Sequence, residues 1–201
     1  MEDIKALMRN ILEAESRAIM SIPVRDDYAK AVELIVEYVN RRGGKLITSG
    51  MGKAGQIAMN IATTFSSTGT PALFLHPSEA QHGDLGIMQP NDLLLLISNS
   101  GETREILELV ELSRNMNPSV PLIVITGKEE SPLAAYADAL LLTGDAPEVC
   151  PLGLTPTTST TMMTVIGDVL VVSVMKAIAF TKAEYAKRHH GGYLGGKARC
   201  Q

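Results

Sequence analysis

Aromatic residues make up only 4% of this 201-residue chain, its two cysteines, Cys150 and Cys200, stand far apart, and no run of lysine or arginine rises above scattered charge. Each scarcity excludes something. With few rings and a net charge of −4, the chain has neither the basic stripe nor the stacking partners that a nucleic-acid surface needs. Two distant cysteines make neither a disulfide framework nor a zinc site, which points to a reducing compartment. The N-terminus has no signal-peptide core, because Glu2, Asp3, Lys5 and Arg9 interrupt it, so a cytoplasmic location is expected. Long apolar runs are equally scarce. Only Met162 to Phe180 approaches membrane-spanning length, and it carries Asp168 and Lys176. An aspartate at a helix centre costs about 2.5–3.5 kcal/mol to insert. The expectation is therefore no membrane span but a buried helix, packed at a subunit interface.

What the chain does have is 45% apolar residues, enough for one well-buried domain over 1–201. It divides into N-terminal helices over 1–42, an α/β core over 45–186 and a tail over 187–201. Ile4, Leu7, Met8, Ile11, Leu12 and Ile19 share one face of a first amphipathic helix. Tyr28, Ala31, Val32, Ile35, Val36 and Val39 do the same for a second, and Pro23 separates the two. The first helix either packs on the core or meets a partner subunit. Gly43-Gly44 ends the second helix before a strand from Lys45 to Ser49. Short apolar strands follow at Ala72 to Leu75, Leu93 to Ile97, Leu122 to Ile125 and Leu140 to Leu142, alternating with helices. That rhythm predicts a parallel sheet covered on both faces, with ligands at the carboxyl ends of its strands. The Gly-rich, basic tail is expected to be mobile unless something docks it.

The most informative stretch is Leu93-Leu94-Leu95-Leu96-Ile97-Ser98-Asn99-Ser100-Gly101-Glu102-Thr103, where an apolar run stops at small hydroxyl residues. Ile106, Leu109 and Val110 then recur at helical spacing. A loop so placed lies at a helix N-terminus, whose unpaired N–H groups favour anions. Ser98, Ser100 and Thr103 add hydroxyl donors, and Gly101 lets the backbone close on a phosphate. The competing reading is a helix capped by Ser100 with no ligand.

Ser49-Gly50-Met51-Gly52-Lys53-Ala54-Gly55 contains a literal G-x-G-x-x-G. Dinucleotide binding would need an acid at the end of the second strand, about 20 residues on, where this chain has His76-Pro77. A P-loop is excluded because Ala54 follows Lys53 and leaves no hydroxyl for magnesium. Lys53 remains as a cation at a helix start, where the dipole gives it no structural reason to be; a solvated surface lysine is the alternative. The loop from His76 to Gly86 is dense in polar residues, and such loops usually bind something. His76 and His82 suggest a metal only if a third ligand joins them, and none can be named. No metal and no cofactor is expected.

Together these segments resemble the arabinose 5-phosphate isomerases, which carry the sugar isomerase (SIS) domain. The resemblance rests on Gly50-Met51-Gly52-Lys53, on His76-Pro77-x-Glu79-Ala80-x-His82-Gly83-Asp84-Leu85-Gly86 and on Ser98-Asn99-Ser100-Gly101-Glu102-Thr103. Further along it includes Cys150-Pro151-Leu152-Gly153-Leu154-x-Pro156-Thr157-x-Ser159-Thr160-Thr161 and His189-x-Gly191-Gly192-x-Leu194-Gly195. It implies one SIS domain, a three-layer α/β/α sandwich with a flavodoxin-like, five-stranded parallel sheet. It further implies a homotetramer that interconverts D-ribulose 5-phosphate and D-arabinose 5-phosphate for the eight-carbon sugar acid Kdo of lipopolysaccharide or capsule. The family's catalytic residues fall on Lys53, Glu105, Glu148 and His189, and His82 matches a histidine near the site. Two departures, His190 for a proline and Gly196 for an arginine, imply a less rigid tail. The chain also stops without the paired cystathionine β-synthase-type modules of longer members, so control is expected at the SIS domain itself. A downstream CMP-sugar inhibitor, the activated sugar acid, would serve by occupying the same anion-binding helix ends.

Isomerisation moves hydrogen between C1 and C2 through an enediolate. A phosphate held by Ser49, Ser98, Ser100 and Thr103 would orient the substrate, with Gly50, Gly52, His82, Asn99, Gly101, Thr157 and Ser159 as further contacts. Lys53 would stabilise the developing oxyanion, and Glu105, Glu148 or His189 would shuttle the proton. Glu105 sits in a helix first turn, which the dipole alone explains; Glu148 has no helix in view to explain it. Other expectations kept open are an isomerase of another phosphosugar and a sugar-phosphate-binding regulatory domain. The latter normally brings a basic helix-turn-helix, a charge pattern the first two helices lack.

Overall fold

In the computed structural model, which describes residues 3–199, the predicted strands form one five-stranded sheet. They are β1 (Leu46–Gly50), β2 (Ala72–Phe74), β3 (Leu93–Ile97), β4 (Leu122–Thr126) and β5 (Ala139–Leu142). All neighbours run parallel in the order β2-β1-β3-β4-β5, so the chain reverses its direction of travel across the sheet between β1 and β3. β1, β3 and β4 are buried at every position, as the near-continuous Leu, Ile and Val runs of β3 and β4 require when both faces are covered.

The two-residue alternation of a strand assigns each leucine to a layer. Leu93, Leu95 and Ile97 face a cluster built by α2 (Asp27–Ile35), α3 (Gly52–Ser67) and α6 (Thr158–Ala177). Leu94 and Leu96 face the opposite cluster, which holds Ala80 from α4 (Pro77–Ala80) and Ile106, Leu109 and Val110 from α5 (Arg104–Met116). The result is the expected α/β/α sandwich. At the amino ends of β1 and β3, fully buried Asp92 accepts bonds from the Lys45 backbone N–H and ammonium, at 2.9 and 2.6 Å, and from the Gln89 N–H.

Three features of the helices are not fixed by the expectation. α1 (Ile4–Met20) buries Ala18 and half-buries Leu7, Ile11 and Ile19, but leaves Ile4, Met8 and Leu12 from 58% to 71% exposed, so one edge of its apolar stripe stays uncovered. The Thr161 hydroxyl donates to Glu15 at 2.7 Å and ties α1 to α6. The second helix changes to π form over Val36–Arg41, keeping the predicted apolar face while its hydrogen bonds shift by one residue. The tail is helical, as α7 (Lys182–Arg188) and α8 (Gly192–Arg199), which pack on each other. Cys200 lies outside the described residues. The long apolar helix, α6, is buried along one side, whereas Asp168, Val169 and Val172 face outward. By length and composition it is the one described helix able to cross a membrane, and half of its apolar window is buried in the protein.

Candidate active site

The loops leaving β1, β3 and β4 meet at the carboxyl edge of the sheet, beside the reversal in strand order where open α/β sheets leave a crevice. A cavity of about 500 Å³ opens there. Its wall includes Lys53, Ser98, Asn99, Ser100, Thr103, Lys128, Glu148 and Ser159.

The loop after β3 is held by its own small residues. The Ser98 and Thr103 hydroxyls lie 2.8 Å apart, Gly101 N–H donates to Ser98 Oγ at 3.1 Å, and Glu102 N–H donates to Ser100 Oγ at 3.1 Å. Gly101 has a φ of 66°, and a Cβ there would stand 2.0 Å from Ser131 Oγ, so only glycine fits. Gly127 N–H donates to the Asn99 carbonyl and Leu133 N–H to that of Gly101, at 3.0 and 3.1 Å, which fastens the loop after β4 against it. α5 starts directly behind, so its N-terminal N–H groups lie beside the cavity. Ser100 does not cap α5, whose N-cap position is Thr103 without a side-chain cap bond; the hydroxyls shape the loop and still line the cavity.

The β1 loop divides differently. Gly52 takes a φ of 58° at the turn into α3, and Gly50 lies so close beneath that helix that a Cβ would stand 2.8 Å from the Ala54 carbonyl carbon. Lys53 is exposed on the cavity wall without an ion pair among the described residues. Ser49 corrects the expectation that its hydroxyl holds phosphate. It is fully buried and donates to the Leu75 carbonyl at 2.6 Å, just past the end of the neighbouring β2.

Glu148 has the richest polar surroundings in the cavity wall. It accepts from Thr157 N–H at 2.6 Å, Thr157 hydroxyl at 2.8 Å and Ser159 N–H at 3.3 Å, and also from the Ser159 hydroxyl. A helix does explain this carboxylate after all, since the loop folds back and sets it on the N-terminus of α6. Burial pushes its pKa up, but the Ser159 hydroxyl and the Thr157 donors outweigh that and hold the carboxyl below its usual range. It is thus an ionised acceptor rather than a group poised near neutrality. Thr157 itself is not on the cavity wall, while Thr160, from the same sequence motif, is.

The other predicted site residues are not gathered here. Glu105 sits half-buried in the first turn of α5 but does not line the cavity. His189 ends α7, stacked on Tyr185 with ring centroids 3.7 Å apart, and exposed His82 lies in the turn after α4. Neither histidine lines the cavity. Sequence reasoning also passed over Lys128, although Thr126-Gly127-Lys128 follows an apolar strand just as Ser98 and Gly52-Lys53 do. Among the described residues no group of three or more His, Cys, Asp and Glu could hold a metal ion.

The chain resembles known proteins along most of its length. The SIS domain family matches residues 38–173. An arabinose 5-phosphate isomerase of Shigella flexneri is 51% identical over 154 residues, covering 77% of this chain and 46% of the relative. The chain spans about half the length of the first curated relatives it matches. Among solved structures, a proposed phosphosugar isomerase involved in capsule formation from Bacteroides fragilis is 65% identical, with a TM-score of 0.94 over 95% of this chain and 100% of that one. A protein of E. coli CFT073 in complex with arabinose 5-phosphate is 36% identical, with a TM-score of 0.81 over 92% and 95% of the two chains. With the sheet order, the phosphate-type loop and these matches in agreement, the chain belongs to the SIS domain family.

Proposed function

We propose that this chain is an aldose–ketose isomerase that interconverts D-ribulose 5-phosphate and D-arabinose 5-phosphate, supplying the precursor of Kdo for lipopolysaccharide or capsule. The observation that carries the reading is the convergence of a cation, Lys53, a carboxylate, Glu148, and the anion-type loop from Ser98 to Thr103 on one cavity. The name of the Shigella relative and the arabinose 5-phosphate bound in the E. coli structure support the same substrate pair.

In this reading the loop and the α5 N-terminus hold the phosphate, so the distal end of a flexible sugar is fixed before any bond changes. Lys53, without an ion pair among the described residues and on the wall, faces the oxyanion that forms as C1 and C2 pass through the enediolate. Glu148, ionised and fixed in orientation by Ser159 and Thr157, is one candidate base for the proton transfer, alongside Glu105 and His189. Glu105 and His189 keep their proposed catalytic roles only if the geometry changes or another copy contributes. Among the described residues no histidine lines this cavity.

A cytoplasmic homotetramer built from one SIS unit per chain fits this account. The unburied apolar residues of α1, with Val169 and Val172 on α6, support an assembly. A CMP-sugar conjugate, carrying phosphate and carboxylate, is the proposed feedback ligand, competitive with the pentose phosphate at the same loop.

The test is turnover of ribulose 5-phosphate by the purified chain, followed by NMR before and after exhaustive chelation. Appearance of arabinose 5-phosphate in both cases is expected. Turnover of fructose 6-phosphate or sedoheptulose 7-phosphate instead would name another phosphosugar, and binding without turnover would make this a regulatory domain.

A further inference from the structure

We propose that Lys128 is the phosphate-selecting cation of this cavity, a binding residue that neither the motifs nor the catalytic set contains. The inference rests on the sugar-phosphate reading above. Among the described residues only Lys53 and Lys128 bring positive charge to the wall, and Glu148 brings a negative one. A sugar phosphate arrives as a dianion near pH 7. If Lys53 is committed to the reacting oxygens, it is offset by Glu148, and the phosphate is left to neutral hydroxyls and helix N–H groups alone. Lys128 supplies the missing charge.

Its backbone is held for that task. Gly127 N–H donates to the Asn99 carbonyl at 3.0 Å, Lys128 N–H to Thr126 Oγ1 at 3.2 Å, and the Ser131 hydroxyl to the Lys128 carbonyl at 2.9 Å. The residue therefore emerges beside Asn99, at the start of the phosphate-type loop. Its side chain is not spent elsewhere. The ammonium has one ionic neighbour among the described residues, Asp145, at 3.8 Å, and the two side chains are 68% and 89% exposed. So loose and solvated a pair is worth little, and it gives way when a dianion binds. Asp145 also shares with Lys128 a second, polar cavity of about 560 Å³ walled by Arg25, Glu102, Glu129 and Glu130, where Arg25 is already paired with Glu129. That cavity is mostly acidic and gives an anion no reason to settle there. The ammonium thus has a parking place on one side and a use on the other.

The experiment compares wild type, Lys128→Met and Lys128→Arg in steady-state turnover of ribulose 5-phosphate, with calorimetric titration of inorganic phosphate alongside. Lys128→Met is expected to raise KM roughly tenfold with kcat within about twofold, and to weaken phosphate binding by a similar factor. Lys128→Arg should restore most of both, which a merely structural loss would not allow. An unchanged KM, or a fall in kcat at constant KM, overturns the proposal. If the wild type fails to turn over ribulose 5-phosphate, the substrate reading fails separately. Phosphate affinity in Lys128→Met then decides alone, with a weakened value supporting the role of Lys128 and an unchanged one overturning it.

Discussion

The carboxyl edge of the sheet and the helical periphery are built on opposite terms. At the edge, polar groups of the phosphate-type loop find partners within a few residues: Ser98 serves Thr103 and Gly101, Ser100 serves Glu102, and the β4 loop closes the rest. Such a loop keeps its shape before any ligand arrives, so binding spends little on ordering it. The periphery leaves Ile4, Met8 and Leu12 of α1 in solvent and stacks His189 on its own neighbour, Tyr185. The anion-type loop is thus self-contained, whereas the periphery keeps apolar surface uncovered.

Breaking the inner half should give the largest effects. Lys53→Ala is expected to lower kcat by about 100- to 1,000-fold with little change in KM, the signature of a lost interaction with a developing oxyanion. A raised KM at constant kcat would reassign the lysine to uniform binding. Gly101→Ala should cost about 2–4 kcal/mol in urea unfolding, because it adds a side chain at positive φ and drives it into Ser131. A loss under about 0.5 kcal/mol would mean that the loop is softer than its hydrogen bonds suggest.

Glu148→Gln sits next, at about 1–2 kcal/mol, since the amide keeps the size but weakens the bonds to Thr157 and Ser159. The pH dependence sharpens this. A carboxyl held below its usual range stabilises the fold above its unfolded pKa of about 4.3, and that contribution disappears as pH falls through the lower folded value. The gap between wild type and Glu148→Gln should therefore narrow in acid, and a gap that widens there would contradict the assignment. The smallest effect on the isolated chain belongs to the outer half. Leu12→Glu should move its own stability by less than about 0.5 kcal/mol yet reduce the mass measured by sedimentation. An unchanged mass would remove α1 from the assembly surface.

These contrasts follow what a linear sequence can carry. The run from Leu93 to Ile97 is legible because burial on both faces demands uninterrupted apolar residues, and its abrupt end marks the loop. The exposure of α1 is not, since an amphipathic stripe looks the same whether it meets a core or another chain. Nor is the π segment, because Val36 and Val39 keep their helical spacing while the bonds beneath them shift. The direction of the Ser49 hydroxyl is hidden too, because it depends on the pairing of β1 with β2, more than 20 residues later. Glu148 looks free of any helix in the sequence because α6 returns to it only after a loop of irregular backbone. Lys128 needed no fold at all, only the strand-end rule applied to β4 as well as to β1 and β3.

The twofold attachment of Glu148, to a helix and to a cavity, bears on how this site can change over generations. A glutamate that closes α6 is retained by selection for folding alone, even in a descendant that has stopped turning over sugars. Lys53 contributes no ion pair among the described residues and stands at a helix end where its charge is unfavourable, so only use preserves it. In a set of diverged copies, the lysine is the residue whose disappearance would date the loss of chemistry.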